Sequence, residues 1–201
     1  AQGASERNIS IIIDEDNANK ALNALHESFF EKDLKDIHLF ITGVGNVGGY
    51  LIQQIKNQRK FISKNLGLNL KVLGISNSKK MLISENEVEL NNWLETLNKS
   101  NTNADKDLFQ KIIIKLNKRN SLFIDNTASE IIPLTYNHYL KNGIGVITCN
   151  KISNSSTLNE YKELRESSRK HNAAFLYETN VGAALPVIST LKNLINSGDK
   201  I

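Results

Sequence analysis

A single cysteine, Cys149, stands in a chain of 201 residues. No internal disulfide framework is available, and a reducing compartment, the cytoplasm, is the expected setting. No apolar run approaches the length of a membrane-spanning helix, and the first residues lack the charged and apolar blocks of a signal peptide, so no membrane partner is expected. Aromatic residues make up only 6%, and the net charge of +4 comes from lysines scattered along the chain. Without a basic block beside aromatics, the charge reads as a solvated surface, and no nucleic acid is expected as partner. The histidines, His26, His38, His138 and His171, lie without metal-ligand spacing, so no zinc site is assigned. No internal repeat is visible. What remains, 40% hydrophobic and 23% charged, fits a globular domain able to bury a core without staples.

What is present centres on Ile37-His38-Leu39-Phe40-Ile41-Thr42-Gly43-Val44-Gly45-Asn46-Val47-Gly48. A mostly apolar run enters G-x-G-x-x-G, and an amphipathic pattern follows with Val47, Tyr50, Leu51 and Ile55 on one helical face. Strand, glycine turn and helix form the context of a dinucleotide-binding fingerprint. Gly43 suits the tight turn, Gly45 a close backbone approach to pyrophosphate, and Gly48 close packing of helix on strand. The diphosphate then meets free N–H groups at the positive end of the helix. The plainer alternative is a glycine-rich turn that binds nothing.

Ahead of this unit, Ile9–Ile13 reads as a strand, Asp14–Asn17 as N-cap chemistry, and Ala18, Ala21, Leu22, Leu25 and Phe29 as one helix face. An isolated strand and helix cannot bury both apolar faces, so the strand is expected to pair with another copy or lie on the surface. Glu31–Asp36 marks a boundary between residues 1–35 and 36–201.

Behind it, the helix is expected to run to about Arg59. Leu70–Ile75 is the second strand and ends in Ser76-Asn77-Ser78-Lys79-Lys80, with no acid before Glu85. An NAD-specific site places an acid there for the ribose 2′-hydroxyl, whereas hydroxyls and cations suit a 2′-phosphate, so NADP is favoured over NAD. Ser84-x-x-Glu87 has capping-box form ahead of a helix with Leu90, Trp93, Leu94 and Leu97. A mobile loop is expected over Asn98–Asp105, then a helix with Leu108, Phe109, Ile112, Ile113 and Leu116. Ser121–Asp125 is a third strand, and Pro133 opens a helix using Leu134, Tyr136 and Leu140. Gly145–Thr148 is a fourth strand, Thr157-x-x-Glu160 a second capping box opening a helix to about His171, and Ala174–Tyr177 a fifth strand. Pro186 starts a helix that stops near Gly198. The fold class is α/β: a Rossmann-type, doubly wound, mostly parallel sheet, preceded by a βα fragment.

The strand ends nominate Thr127, Ser129, Asn150, Lys151 and Glu178. A lysine at that edge holds a carboxylate or polarises a carbonyl, although an exposed lysine near a helix is the commoner case. Cys149 has no His or Asn partner and reads as an inert thiol. Glu178 serves equally as loop anchor or catalytic group on spacing alone.

Four segments resemble the bifunctional aspartokinase–homoserine dehydrogenase family: Phe40–Gly48, Asp125-Asn126-Thr127-Ala128-Ser129, Thr148-Cys149-Asn150-Lys151, and Tyr177-Glu178-Thr179-Asn180-Val181-Gly182-Ala183-Ala184-Leu185-Pro186. Residues 36–201 are similar to the nucleotide-binding domain of the dehydrogenase, and residues 1–30 to the closing βα unit of the regulatory ACT domain of the kinase half. The resemblance implies hydride transfer between NAD(P)H and aspartate 4-semialdehyde or homoserine, in threonine and methionine biosynthesis, within a cytoplasmic homo-oligomer. It implies that Gly43, Val44, Gly45, Asn46, Val47 and Gly48 cradle the pyrophosphate, and that Ser76, Asn77 and Ser78 face the adenosine ribose. Thr127, Ala128, Ser129 and Asn150 line the nicotinamide side, and Lys151 is the catalytic lysine beside nicotinamide and substrate. Glu178 with the carbonyls of Val181, Ala183 and Leu185 corresponds to a monovalent-cation site, sodium being the expected ion. Ala184 stands where the family usually has glycine. The family's substrate and dimerisation domain and its kinase domain are not in this sequence, so a fragment that binds cofactor with little or no turnover is expected. A non-catalytic sensor module and another semialdehyde- or hydroxy-acid-linked dehydrogenase are the alternatives.

Overall fold

The computed structural model describes residues 11–30, 34–183 and 185–200. Helix α1 (Ala18–Phe30) comes first, followed by β1 (Lys35–Thr42), α2 (Asn46–Leu66), β2 (Leu68–Ser76) and β3 (Met81–Ile83). Next come α3 (Trp93–Lys99), α4 (Lys106–Leu116), β4 (Ser121–Asp125), α5 (Tyr136–Lys141) and β5 (Gly145–Thr148). The chain continues through α6 (Ile152–Ser155), α7 (Leu158–Lys170), β6 (Phe175–Leu176) and α8 (Val187–Ser197).

The strands form one sheet in the order β3-β2-β1-β4-β5-β6. All neighbours are parallel except β3, which turns back antiparallel on β2. Alternation along β1 sends Leu39 and Ile41 to one face and Phe40 to the other. The first face packs on Ile52 and Ile55 of α2 and Leu97 of α3. The second packs on Phe109 and Ile113 of α4, Tyr139 and Leu140 of α5, and Leu164 of α7. A register shift between Leu39 and Phe40 pairs Phe40 with Gly74. A Cβ at Gly74 would stand 2.9 Å from the Phe40 ring and 3.2 Å from that of Phe109, so the missing side chain there lets both rings close over the strand.

Several local expectations change once packing is applied. Helix α2 continues past Arg59 to Leu66, where Gly67 caps it at φ 62. Its buried face is Gly48, Ile52 and Ile55, while Val47 and Tyr50 are exposed; the sheet selects a stripe rotated from the expected one. Ser84 and Glu87 form no capping box: the Ser84 N–H continues the sheet onto the Leu73 carbonyl and Glu87 pairs with Arg59. Leu90 is buried ahead of α3 rather than within it. Leu134 is exposed, while Tyr136 and Leu140 are buried as expected. The fifth strand shortens to two residues. Thr157 and Glu160 do form their capping box.

Ile11–Ile13 are exposed and in no strand; Ile9 and Ser10, the rest of that expected strand, lie outside the described residues. The expected helix α1 forms, with Leu22, Leu25 and Phe29 exposed. Its start is tied to the end of α4, where Asn117 adopts a left-handed cap. The Lys20 ammonium donates to Asn117 Oδ1 at 3.0 Å, and the Asn117 amide donates to the Asp16 carbonyl at 3.1 Å.

Candidate cofactor site

Parallel strands of matched register place their last residues side by side. Ser76 pairs with Thr42, Thr42 with Asp125, and Asp125 with Thr148. This row crosses four strands, about 14 Å at the usual strand spacing, and all four side chains are polar and buried. Every loop expected to meet a ligand springs from it: Gly43 after Thr42, Asn77 after Ser76, Asn126 after Asp125, and Cys149 after Thr148. Between β1 and β4 the chain's winding reverses, the crevice where doubly wound sheets receive ligands.

A cavity of about 800 Å³ opens there. Of the expected cofactor residues, Gly43, Val44, Gly45, Ser76, Asn77, Ser78, Thr127 and Ser129 line it; Asn46, Val47, Gly48, Ala128, Asn150 and Lys151 do not. The three glycines divide their work. Gly43 sits at φ 86, and a Cβ there would meet the Thr127 methyl at 2.7 Å and the Asn126 backbone at 2.8 Å. At Gly48 a Cβ would lie 2.2 Å from the Gly43 carbonyl oxygen, so the close packing is on the turn rather than on the strand. Around Gly45, the N-cap of α2, nothing lies within 4 Å of an added Cβ. The helix mouth is therefore open to an approaching anion. The buried amide nitrogen of Asn126, which lines the same cavity, has no hydrogen-bond partner among the described residues. An orphaned donor of this kind calls for an occupant that accepts.

At the β2 end, Asn77 Oδ1 accepts the Lys79 and Lys80 N–H groups at 2.7 Å each, shaping the turn into β3. This short strand, β3, has no sequence signal of its own, because three residues after a polar turn give too little alternation. The stretch from Asn98 to Asp105, expected to be mobile, is hydrogen-bonded along the turn instead: Ala104 N–H to the Lys79 carbonyl and Met81 N–H to that of Thr102. It thereby brings Asn98, Asp105 and Lys106 onto the cavity beside Lys79. No spacing signal in the sequence announces these residues. Asp105 is an acid lining the cavity, but its carboxylate accepts the Asp107 and Leu108 N–H groups as the cap of α4. Those backbone amides hold it below the ordinary aspartate range despite some desolvation.

At the other end Asp125 is fully buried. It accepts from the Thr127 N–H at 2.7 Å, the Tyr136 hydroxyl at 2.6 Å and the Asn150 amide at 3.2 Å. Burial, reinforced by the Asp125 charge, pushes the Tyr136 phenol far up. Asn150 is itself buried and joins two loops, its amide also reaching the Ser129 carbonyl at 2.8 Å. Lys151 is exposed on the same sheet edge, three residues beyond Thr148. Burial, then the Asp125 charge, raises the Cys149 thiol, which keeps it a poor nucleophile.

In the expected cation loop, the Glu178 carboxylate accepts from Ile188 N–H at 2.8 Å and Ser189 N–H at 3.0 Å. It thus caps α8, whose own N-cap, Pro186, offers no side-chain acceptor. Gly182 and Ala183 take φ 73 and 50, and the Leu185 carbonyl accepts the Val187 N–H. Val181 and Leu185 are exposed, and Ala184 lies outside the described residues. Among the described residues no three His, Cys, Asp or Glu side chains gather as a metal cluster, and no helix is long and apolar enough to cross a membrane.

Residues 43–178 match the family model described as the homoserine dehydrogenase NAD-binding domain. This chain belongs to that family. Residues 1–29 match a second model, described as an ACT domain. A bifunctional aspartokinase/homoserine dehydrogenase of Buchnera aphidicola is 39% identical over 202 residues, covering 100% of this chain and 24% of the relative. The homoserine dehydrogenase of Schizosaccharomyces pombe is 32% identical over 168 residues, covering 83% of this chain and 44% of the relative. The chain thus spans about a quarter of the bifunctional relative. Among solved structures, a hyperthermophilic archaeal homoserine dehydrogenase in complex with NADPH superposes with a TM-score of 0.65 at 23% identity, covering 81% of this chain and 50% of the other. At that identity the likeness bears on the fold, and it is the Rossmann-type α/β fold of the homoserine dehydrogenase domain.

Proposed function

We propose that this chain is the nicotinamide-cofactor domain of a homoserine dehydrogenase within a longer, bifunctional aspartokinase polypeptide, and that it prefers NADP to NAD. Residues 1–35 are then the tail of a regulatory ACT unit and residues 36–201 the nucleotide-binding domain. The single observation that carries the reading is the polar row Ser76–Thr42–Asp125–Thr148, with an open helix mouth at Gly45 and a cavity at the winding reversal.

The residues present fit a dinucleotide. Gly43, Val44 and Gly45, with the first amides of α2 at Asn46, Val47 and Gly48, hold the diphosphate. Ser76, Asn77 and Ser78 take the ribose, and Lys79 and Lys106 supply the cations a 2′-phosphate needs, since Asp105 is engaged as a cap. Thr127, Ala128 and Ser129 face the nicotinamide, Asn150 braces that loop, and Lys151 orients the substrate carbonyl. The bound cofactor supplies hydride for interconverting aspartate 4-semialdehyde and homoserine. A carboxylate offers about four acceptor positions, so Glu178 keeps capacity for a sodium ion beside the carbonyls of Val181, Ala183 and Leu185.

Titration with NADPH, followed by nicotinamide fluorescence, tests the reading. Saturable binding with weaker binding of NADH is expected; a folded sample that ignores millimolar NADPH defeats it. The sodium site predicts a thermal midpoint higher in sodium chloride than in choline chloride at equal ionic strength.

A further inference from the structure

Asp125 joins two loops at one sheet edge, and the role inferred for it rests on the cofactor reading. Its Oδ1 takes the Thr127 N–H and so fixes the loop after β4. Its Oδ2 takes the Tyr136 hydroxyl and the Asn150 amide. Tyr136 is bonded in turn to the Thr148 hydroxyl at 2.7 Å, and that hydroxyl accepts the Asn150 N–H at 2.9 Å. Asn150 carries the connection onward: its Oδ1 accepts the Ile152 N–H at 3.1 Å, and its carbonyl accepts from the Asn180 amide at 3.1 Å. Among the described residues no cation pairs with Asp125. A buried carboxylate held only by neutral donors is costly to keep for stability alone.

We propose that Asp125 is a positioning residue for the nicotinamide end of the cofactor. One carboxylate sets the loop Thr127–Ser129 against the loop Asn150–Ile152, and so fixes where Lys151 stands relative to the nicotinamide. The adenosine end is built by Ser76–Lys79 and Lys106, which Asp125 does not touch. Damage at Asp125 therefore separates the two halves of one ligand, which a general loss of structure does not do.

Calorimetry with two probes, NADPH and adenosine 2′,5′-bisphosphate, reads this on the full chain carrying Asp125→Asn. Whichever way the new amide turns, its NH2 faces a donor: the Thr127 N–H at one position, or the Tyr136 hydroxyl and the Asn150 amide at the other. NADPH affinity is expected to fall about tenfold, the scale of an unsatisfied buried polar pair, with the bisphosphate changing by less than about twofold. Tyr136→Phe removes one donor while keeping the ring, and is expected to weaken NADPH selectively by about threefold. Should Asp125→Asn not fold, this variant decides by the same split. Equal weakening of both probes, or no weakening of either, overturns the positioning role. A wild-type chain that binds neither probe overturns the cofactor reading instead.

Discussion

The glycine turn makes a prediction in which stability and binding part company. At Gly48 an alanine Cβ would fall 2.2 Å from the Gly43 carbonyl oxygen, 3.0 Å from the Gly43 carbonyl carbon and 3.3 Å from the Asn126 amide. The nearest obstacle is backbone, so no side chain can swing aside. Overpacking of this kind costs about 1–3 kcal/mol, while alanine regains about 0.5–1 kcal/mol of helix propensity over glycine. With backbone at 2.2 Å the upper part of that range, about 2–3 kcal/mol, applies, so the net for Gly48→Ala is a loss of about 1–2.5 kcal/mol, or roughly 2–10 °C in Tm for a domain of this size. At Gly45 the added methyl meets nothing. Gly45→Ala should then cost only the difference between two N-caps, about 0.5 kcal/mol, yet stand where a diphosphate must approach. Treated as an overpacked contact of about 1–3 kcal/mol, that is about a 5- to 150-fold loss of NADPH affinity. Thermal unfolding and fluorescence titration of both variants check the contrast. A Gly45→Ala chain that binds NADPH like wild type would refute the placement of the diphosphate. A Gly48→Ala chain with unchanged Tm would refute the packing of the turn.

Three further outcomes follow from other parts of the molecule. Lys79→Ala and Lys106→Ala should each weaken NADPH by about 3- to 10-fold while leaving NADH nearly unchanged; equal effects on both cofactors would place the 2′-phosphate elsewhere. Asp36 is partly desolvated, which raises its carboxyl, but the Lys71 ammonium at 2.5 Å and the Asn69 amide outweigh that and hold it below the ordinary value of 3.8. Its contribution is complete above that value and disappears as pH falls through the lowered folded-state value. Asp36→Asn should therefore cost about 0.5 kcal/mol near neutrality, as befits a partly exposed pair, and nothing at the acid end of a series of urea melts. Thr157→Ala removes the hydroxyl half of the capping box on α7, the acceptor of the Glu160 N–H, while the residue-157 N–H still donates to the Glu160 carboxylate; it should cost about 1 kcal/mol, read as a Tm lower by roughly 2–4 °C.

Local chemistry was legible wherever a residue's role depends on its immediate neighbours. The extents of β4 and β5, the Thr157–Glu160 cap, the Gly198 stop and the positive φ at Gly43 all follow from spacing within a few residues. The hydrophobic stripe of α2 did not, because a helix with apolar residues on two sides is assigned its inner face only by what it lies against. The loop between α3 and α4 reads as a polar connector, yet it borrows the backbone of Lys79–Met81 for its hydrogen bonds. Glu178 shows the same limit, since its acceptors serve amides ten and eleven residues onward.

The sequence by itself determined the alternation of strand and helix, the glycine turn and the small polar residues that end each strand. These are consequences of backbone sterics and side-chain periodicity, which act over a turn or two of chain. Only the tertiary structure decided that Ser76, Thr42, Asp125 and Thr148 stand in one row, that Asn150 is a brace rather than a cavity wall, and that Lys106 joins Lys79 on one cavity. Strand register and loop docking arise from contacts between segments far apart in the chain, and those energies belong to pairs of segments, not to either one alone.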